Sequence, residues 1–582
     1  MDYSFFDFLT LVGALGMFLY GMKVMSEGLQ KLAGDKLRSI LSIMTTNRFT
    51  GVLTGVLITA IIQSSSATTV MVVSFVNAGL LSLAQSISVI MGANVGTTVT
   101  AWIISLFGFK VDISVFALPL IGLCLPLIFS GKSKRKSLGE FLMGFAFLFM
   151  GLAYLKESMP DLQGNLETLS IMQGYTQMGY LSIFLFLALG TILTIILQSS
   201  SATVAITLVM CTKGWIPFDM AAAMILGENI GTTVTANIAA LSGNVSAKRA
   251  AVAHLMFNIF GVCWVLALFY PFTNAVSWIV TNYGPGDPQE IMKFIHTLDH
   301  ETVAAITSGG ALSDPRLIDL QKQLMNLQVS VSYGLSLFHT MFNILNVCIM
   351  VWFANFYVKV CSVLIKSKKE SREEEFQLKY ISSGMLSTSE LSLMQAHKEI
   401  AVYGERTFRM LEMVKELLNE KDEDKFLNTY SRIEKYESIS DRMEVEIAKY
   451  LTYVSEGRLS SEGKEDIRVM LRAVTEIESI ADSCYNLARS VKRRNEGKST
   501  FTEDQNRYVD NMLRLVEKAL CRMNVVLNMQ EPVHGEINPS YNIENEINNY
   551  RNKLKNKNME DVNEKKYDYQ DGVYYMDMIA EF

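Results

Sequence analysis

The residues of this chain best suited to bind a ligand form two copies of the sequence QSSSAT, at Gln63–Thr68 and Gln198–Thr203. Serine and threonine hydroxyls donate and accept hydrogen bonds, and glutamine adds two donors and one acceptor. A tetrahedral oxyanion needs such donors on several oxygens at once. Neither copy contains Lys or Arg, so a buried anion would keep its charge there at a large cost. A small cation bound beside the anion would offset that cost. Hydroxyl and carbonyl oxygens suit Na⁺, but these residues alone do not choose between Na⁺ and protons.

A second pair of motifs, G-x-N-x-G-T-T-V-T-A, follows at Gly92–Ala101 and Gly227–Ala236. Both pairs of motifs repeat with the same offset of 135 residues. Glu228 stands in the second copy where the first has Ala93. An ionisable group at membrane depth is a functional candidate, and we consider Glu228 either a cation ligand or a group that faces water. The asparagines and threonines of these motifs either join the site or hold re-entrant turns: Asn94, Asn229, Thr97 and Thr232.

Long apolar runs indicate a membrane domain. Most of them approach or exceed the roughly 20 residues that cross a bilayer as a helix. They are Phe5–Met22, Ile113–Ser130, Phe141–Leu155, Ala250–Phe269 and Val329–Val358. Shorter apolar runs flank each QSSSAT motif, which predicts helices that stop and restart at a polar break. Such breaks are tolerated in a bilayer only where they are buried or line a cavity, and matching breaks in two halves indicate a transporter site. The alternative is that the small residues only allow close helix packing.

The charges between the apolar runs predict the topology. The positive-inside rule places the basic loop Lys132–Lys136 in the cytoplasm, the acidic N-terminus outside and the C-terminal part inside. Gly21 and Glu27 of the first helix recur as Gly151 and Glu157, after the basic loop. Helices that are related by sequence would therefore cross the membrane in opposite directions, which predicts two inverted-topology repeats.

We expect an all-α, polytopic membrane protein with re-entrant or broken helices and a helical cytoplasmic bundle. The predicted regions are repeat 1 (1–135), repeat 2 (136–270), an extracellular connection (271–328), a last transmembrane helix (329–365), a linker (366–388), the cytoplasmic helical domain (389–530), and a flexible segment with a partial helix (531–582). In the last region, residues 531–560 are rich in Asn, Glu and Lys and are interpreted as a linker or flexible excursion.

Composition argues against several other classes. The net charge is −6 and no basic face stands out, so nucleic-acid binding is not expected. The seven cysteines are scattered and form no CxxC pair, which argues against a disulfide framework or a zinc site. The two Gly-Lys-Ser sequences lack the upstream glycine of a P-loop, and the QSSS serines have no neighbouring base in the sequence. We therefore expect no enzyme activity.

The paired motifs, together with the H-x-x-F-N segments at His254–Asn258 and His339–Asn343, resemble the type II sodium/phosphate cotransporter family and its bacterial relatives. The match covers roughly Phe5–Val360. The resemblance implies Na⁺-coupled transport of inorganic phosphate, with the two breaks meeting in one site. The acid that electrogenic members add is missing between Met91 and Thr100. The implied phosphate ligands are Gln63, Ser64, Ser65, Ser66, Gln198, Ser199, Ser200, Ser201, Asn94 and Asn229, and the implied sodium ligands are Gln63, Ser66, Thr98, Gln198, Ser201, Thr233 and Glu228. For His254 and His339 we favour a packing and hydrogen-bonding role over proton relay or substrate contact.

The cytoplasmic part, from about Ser389, resembles a PhoU-like helical domain. Two E-x-x-x-D sequences place carboxylates on one helix face, at Glu437–Asp441 and Glu478–Asp482. In PhoU-like proteins such acids can hold a divalent metal or iron; the alternative is an ordinary solvated acidic face.

The leading interpretation is thus a secondary transporter in the bacterial inner membrane, with phosphate, sodium and lipid as partners and a homodimer left open. Three alternatives remain: another oxyanion, proton coupling, or a membrane phosphate sensor that signals through the PhoU-like tail.

Overall fold

The computed structural model describes residues 4–43, 47–77, 81–110, 114–160, 174–241, 243–307, 314–366, 378, 381, 389–457, 459, 461–529 and 537–582. Every regular element within these residues is a helix, as predicted. The chain divides into two compact units, Met1–Lys368 and Lys369–Phe582.

The first unit is a membrane domain. Six of its helical segments are long and apolar enough to cross a bilayer: Phe5–Leu32, Leu83–Lys110, Ser133–Ser158, Tyr180–Leu197, Val245–Ala267 and Pro315–Leu364. The helices of the unit are α1 (Phe5–Ile43), α2 (Arg48–Ile62), α3 (Ser65–Asn77), α4 (Leu83–Ser105), α5 (Ser114–Ile128), α6 (Ser133–Ser158), α7 (Tyr180–Leu197), α8 (Ser200–Thr212), α9 (Phe218–Ala240), α10 (Val245–Ala267), α11 (Phe269–Tyr283), α12 (Glu290–Thr297), α13 (His300–Thr307), α14 (Pro315–Met350) and α15 (Ala354–Leu364). A π-helical turn, Leu106–Lys110, continues α4.

Helices α2–α4 and α7–α9 repeat the same packing. In each repeat, the half-helix before the break contacts the glycine-rich helix through a glycine. A Cβ on Gly55 would lie 2.0 Å from the Val89 carbonyl oxygen, and a Cβ on Gly190 would lie 2.2 Å from that of Met224. No side chain fits at such distances. The glycines therefore bring α2 against α4, and α7 against α9, in the same register.

Helices α1 and α6 pack antiparallel through small residues. A Cβ on Gly21 would lie 2.3 Å from the Leu148 amide nitrogen, and a Cβ on Gly151 would lie 2.4 Å from that of Phe18. Residue numbers thus rise along one helix as they fall along the other. Since Gly21 and Gly151 are the recurring glycines of the sequence, the two related helices run in opposite directions.

The half-helices after the two breaks cross between the repeats. Helix α3 packs against α9, and α8 packs against α4. Helix α9 is buried along most of its length, including Glu228. This interleaving places α4 and α9, which carry the glycine-rich motifs, at the centre of the unit.

The second unit is a helical bundle. It consists of α16 (Ser389–Asn419), α17 (Glu423–Ser455), α18 (Ser461–Glu496), α19 (Glu503–Leu527), α20 (Ile537–Asn563) and α21 (Tyr569–Glu581). The expectation of a linker over 531–560 is wrong for residues 537–560, which lie in α20. Apolar residues recur there at helical spacing, and Ile547, Tyr550 and Leu554 pack in the core of the unit. Their burial outweighs the polar composition of the segment.

Candidate functional site

Each QSSSAT motif breaks a helix at its glutamine, as predicted. Helix α2 ends at Gln63 and α7 ends at Gln198, and both glutamines adopt left-handed backbone conformations, with φ of 54° and 51°. This conformation is uncommon for residues other than glycine and costs about 1–2 kcal/mol. Keeping it at both positions indicates that the break itself is needed.

The helices restart under a serine cap. The Ser64 hydroxyl accepts a hydrogen bond from the amide of Ala67 at 3.2 Å, and the Ser199 hydroxyl accepts one from the amide of Ala202 at 3.3 Å. The start of a helix offers free N–H groups and a positive dipole end to an anion. Four further hydroxyls have no hydrogen-bond partner among the described residues and are available to a ligand: Ser65, Ser66, Ser200 and Ser201.

A threonine pair joins the two halves of each broken helix. The Thr59 hydroxyl donates to that of Thr68 at 3.1 Å, and the Thr194 hydroxyl donates to that of Thr203 at 2.9 Å. Sequence reasoning missed these bonds, although all four threonines obey the offset of 135 residues. The pairs fix the angle between the half-helices and so the position of the break.

The glycine-rich motifs lie inside the uninterrupted helices α4 and α9. The alternative that they hold re-entrant turns is therefore wrong; their glycines serve the close packing described above. The amides of Asn94 and Asn229 are buried and donate to carbonyls of their own helices, Ile90 and Ile225. The Thr98 and Thr233 hydroxyls likewise donate to carbonyls three residues earlier, which leaves their oxygen lone pairs as acceptors.

The two glutamines have different surroundings. Gln63 is buried, and its carbonyl oxygen accepts a hydrogen bond from the Thr100 hydroxyl at 2.9 Å. The preceding carbonyl, of Ile62, accepts from the hydroxyl of Ser26 on α1. Gln198 is exposed, and Thr235, the counterpart of Thr100, donates instead to the Thr232 carbonyl at 2.8 Å. Repeated sequence has therefore produced two unequal halves.

Glu228 lies on α9 with 1% of its surface exposed. Its Oε1 is 3.8 Å from Nε2 of His339 on α14. The H-x-x-F-N segments behave alike: the amides of Asn258 and Asn343 donate to the carbonyls of His254 and His339 at 3.0 and 2.9 Å. These bonds involve the histidine backbones; both imidazole rings are buried without a hydrogen-bond partner among the described residues, so the packing and hydrogen-bonding role of His254 and His339 stays a prediction. The sequence did not indicate that His339 lies close to Glu228.

In the second unit, three of the four predicted acids come together. One carboxylate oxygen from each of Glu437, Asp441 and Asp482 lies within 4.8 Å of the others; Glu478 is not part of this group. Burial, followed by the charges of Asp441 and Asp482, raises the pKa of Glu437. Burial and then the charge of Asp482 raise the pKa of Asp441. Repulsion between carboxylates is what a bound cation would relieve.

Comparison with known proteins gives two family matches. Residues 17–157 and 168–280 match the family described as Na⁺/Pi-cotransporter, and residues 400–491 match the PhoU domain. No solved structure matches the chain.

Three relatives illustrate the range of similarity. "Uncharacterized protein YqeW" of Bacillus subtilis is 34% identical over 280 residues, which are 48% of this chain and 86% of YqeW. "Putative inorganic phosphate export protein YjbB" of Escherichia coli K12 is 25% identical over 413 residues, 71% of this chain and 65% of YjbB. "Sodium-dependent phosphate transport protein 2A" of Rattus norvegicus is 37% identical over 100 residues, 16% of this chain and 15% of that protein.

Proposed function

Because this chain belongs to the Na⁺/Pi-cotransporter family, we propose that it is a secondary transporter that moves inorganic phosphate across a membrane together with Na⁺. The observation that carries the proposal is the pair of helix breaks at which the hydroxyls of Ser65, Ser66, Ser200 and Ser201 have no hydrogen-bond partner among the described residues. Relatives named for phosphate export and for sodium-dependent phosphate transport support it.

Phosphate binds at the breaks, between hydroxyl and amide donors. The free N–H groups at the starts of α3 and α8 favour an anion there. Since the breaks hold no Lys or Arg, Na⁺ supplies the compensating charge. The proposed phosphate ligands are the QSSS residues of both motifs with Asn94 and Asn229. The proposed Na⁺ ligands are Gln63, Ser66, Thr98, Gln198, Ser201, Thr233 and Glu228.

The two halves are inverted repeats in this proposal. The support is the antiparallel contact of α1 and α6, whose recurring glycines Gly21 and Gly151 meet each other's helix in the same way. The basic residues Lys132–Lys136, which lie at the start of α6 rather than in a loop, favour an orientation in the cell membrane with the N-terminus outside and the PhoU-like unit in the cytoplasm. That unit regulates transport, and its three clustered carboxylates, Glu437, Asp441 and Asp482, are hard oxygen ligands suited to a divalent metal or iron.

Uptake of radiolabelled phosphate into proteoliposomes tests the proposal. We expect an inward Na⁺ gradient to drive uptake and a choline gradient to drive none. Gln63→Ala and Ser199→Ala should each abolish uptake, since both remove a group at a break. Ser74→Ala is the matched control, because the Ser74 hydroxyl is buried in α3 and donates to its own helix, at the Val70 carbonyl; it should keep near wild-type rates.

The same preparation separates transport from sensing. Uptake that does not depend on Na⁺ would contradict the proposed coupling. Wild-type uptake rates in both Gln63→Ala and Ser199→Ala would contradict the proposed site. Phosphate binding without any uptake would favour the sensor alternative.

A further inference from the structure

Unpartnered polar atoms concentrate on three helices of the membrane domain. Both carboxylate oxygens of Glu228, both ring nitrogens of His254 and His339, and the side-chain carbonyl oxygens of Asn258 and Asn343 are buried without a hydrogen-bond partner among the described residues. Leaving such groups unpaired is costly, most of all for an ionisable one. Native proteins retain them where a water, an ion or a ligand completes the bonding.

Glu228 on α9 carries such unpartnered atoms, as do His339 and Asn343 on α14. Glu228 Oε1 lies 3.8 Å from His339 Nε2, and both side chains are at least 99% buried. Asn343 lies one helical turn after His339, on the same face of α14. Its amide nitrogen is already committed to the His339 carbonyl at 2.9 Å. Its carbonyl oxygen is therefore the free end of the side chain, and that end can only accept a hydrogen bond or bind a cation.

Helix α10 provides a natural comparison. His254 and Asn258 repeat the arrangement, with the same amide bond at 3.0 Å and the same unpartnered atoms. The position equivalent to Glu228 in the other repeat is Ala93. Among the described residues, no carboxylate lies within 4 Å of the His254 ring nitrogens, whereas that of Glu228 lies 3.8 Å from His339 Nε2. Only one of the two histidine patches thus holds an acidic side chain that a cation could neutralise.

We propose that Asn343 of α14 binds the coupling Na⁺ together with Glu228 and beside His339. The inference rests on the proposed function, and it adds α14 to the transport machinery. A single carboxylate in a buried site is balanced by one monovalent cation, while a divalent ion would leave an uncompensated charge. Carboxylate and amide oxygens are ligands that hard cations prefer, and His339 Nε2 lies 3.8 Å from the carboxylate.

The test uses the full chain in proteoliposomes and measures phosphate uptake against Na⁺ concentration at constant pH, with choline as replacement. In Glu228→Gln and Asn343→Ala, we expect the half-saturating Na⁺ concentration to rise about tenfold or more, the change that follows from losing a hydrogen-bonding ligand to a charged group. The half-saturating phosphate concentration at saturating Na⁺ should stay within about twofold. Asn258→Ala, the matched control, should leave the Na⁺ dependence of the wild type.

A second measurement covers variants that no longer transport. Na⁺, compared with choline, should raise the thermal unfolding temperature of the detergent-solubilised wild type and of Asn258→Ala, but not that of Glu228→Gln. Wild-type Na⁺ dependence in both Glu228→Gln and Asn343→Ala would overturn this inference and leave the proposed function intact. An equal rise of the half-saturating Na⁺ concentration in Asn343→Ala and Asn258→Ala would also overturn this inference. Phosphate uptake by the wild type that does not depend on Na⁺ would contradict both the proposed coupling and this Na⁺ site.

Discussion

At Gln63 and at Gln198 the backbone makes the same left-handed turn, and a serine caps the following half-helix in the same way. At the first break, Gln63 is buried and its side chain accepts a hydrogen bond from Thr100, while Ser66 is only half-buried. At the second break, Gln198 is exposed, while Ser201 is buried.

The difference follows from neighbours outside the motifs. Ser26 on α1 donates to the carbonyl of Ile62, just before the first break. The residue related to Ser26 by the recurrence of α1 in α6 is Lys156, which donates to the Gly108 carbonyl instead. Local sequence therefore sets the conformation of each break, and the helix beside it decides which side chains are covered. Because the residues beside the two breaks differ in sequence, we interpret the different burial of Gln63 and Gln198 as a permanent difference between the two halves.

The largest predicted effect concerns what the two halves share. Gly55→Ala and Gly190→Ala each place a Cβ about 2 Å from a carbonyl oxygen of the neighbouring helix. Overpacking of this kind costs about 3 kcal/mol of folding free energy, so both variants should lose most of their monodisperse protein in size-exclusion chromatography after mild heating. The two losses should be similar, because the contacts are equivalent.

Gly122→Ala is the matched control for these variants. Gly122 lies in α5, where an added Cβ would have no atom of the described residues within 4 Å, and alanine is favoured over glycine in a helix by about 1 kcal/mol. This variant should be at least as heat-resistant as the wild type. A large loss in one of the Gly55 and Gly190 variants only would show that the repeats do not share their packing.

A smaller effect concerns what the halves do not share. Thr100→Val removes the hydroxyl that holds the Gln63 side chain. Loss of one buried hydrogen bond, about 1 kcal/mol, should lower kcat/KM for phosphate uptake about fivefold. Thr235→Val removes only a bond to a carbonyl of its own helix and should change kcat/KM less than twofold or so.

The two threonine variants decide how the inequality is to be understood. Equal losses would mean that Gln198 takes the equivalent bond to Thr235 during transport. The difference between the breaks would then belong to one state of the transporter, contrary to our interpretation.

The sequence predicted the broken helices because the break is local: a polar motif between short apolar runs, present twice. It did not predict the burial of Gln63, because that depends on Thr100 and Ser26, which are brought there by tertiary packing. Thr100 recurs as Thr235, so the repeat could have marked it as a candidate site residue, but its hydrogen bond to Gln63 could not be predicted. Helix α20 was missed for the opposite reason: its polar composition obscured the helical spacing of Ile547, Tyr550 and Leu554.

The smallest predicted effect concerns the second unit. Ser26, Gln63, Thr100 and Gln198 all lie within Met1–Lys368, so the inequality of the breaks should survive deletion of Ser389–Phe582. Substitutions that share no partners have nearly additive effects, within about 0.5 kcal/mol. The ratio of kcat/KM between Thr100→Val and Thr235→Val should therefore change by no more than about twofold in the shortened chain, measured as initial phosphate uptake. A ratio near one after the deletion would mean that the PhoU-like unit imposes the inequality, and regulation would then act on the breaks themselves.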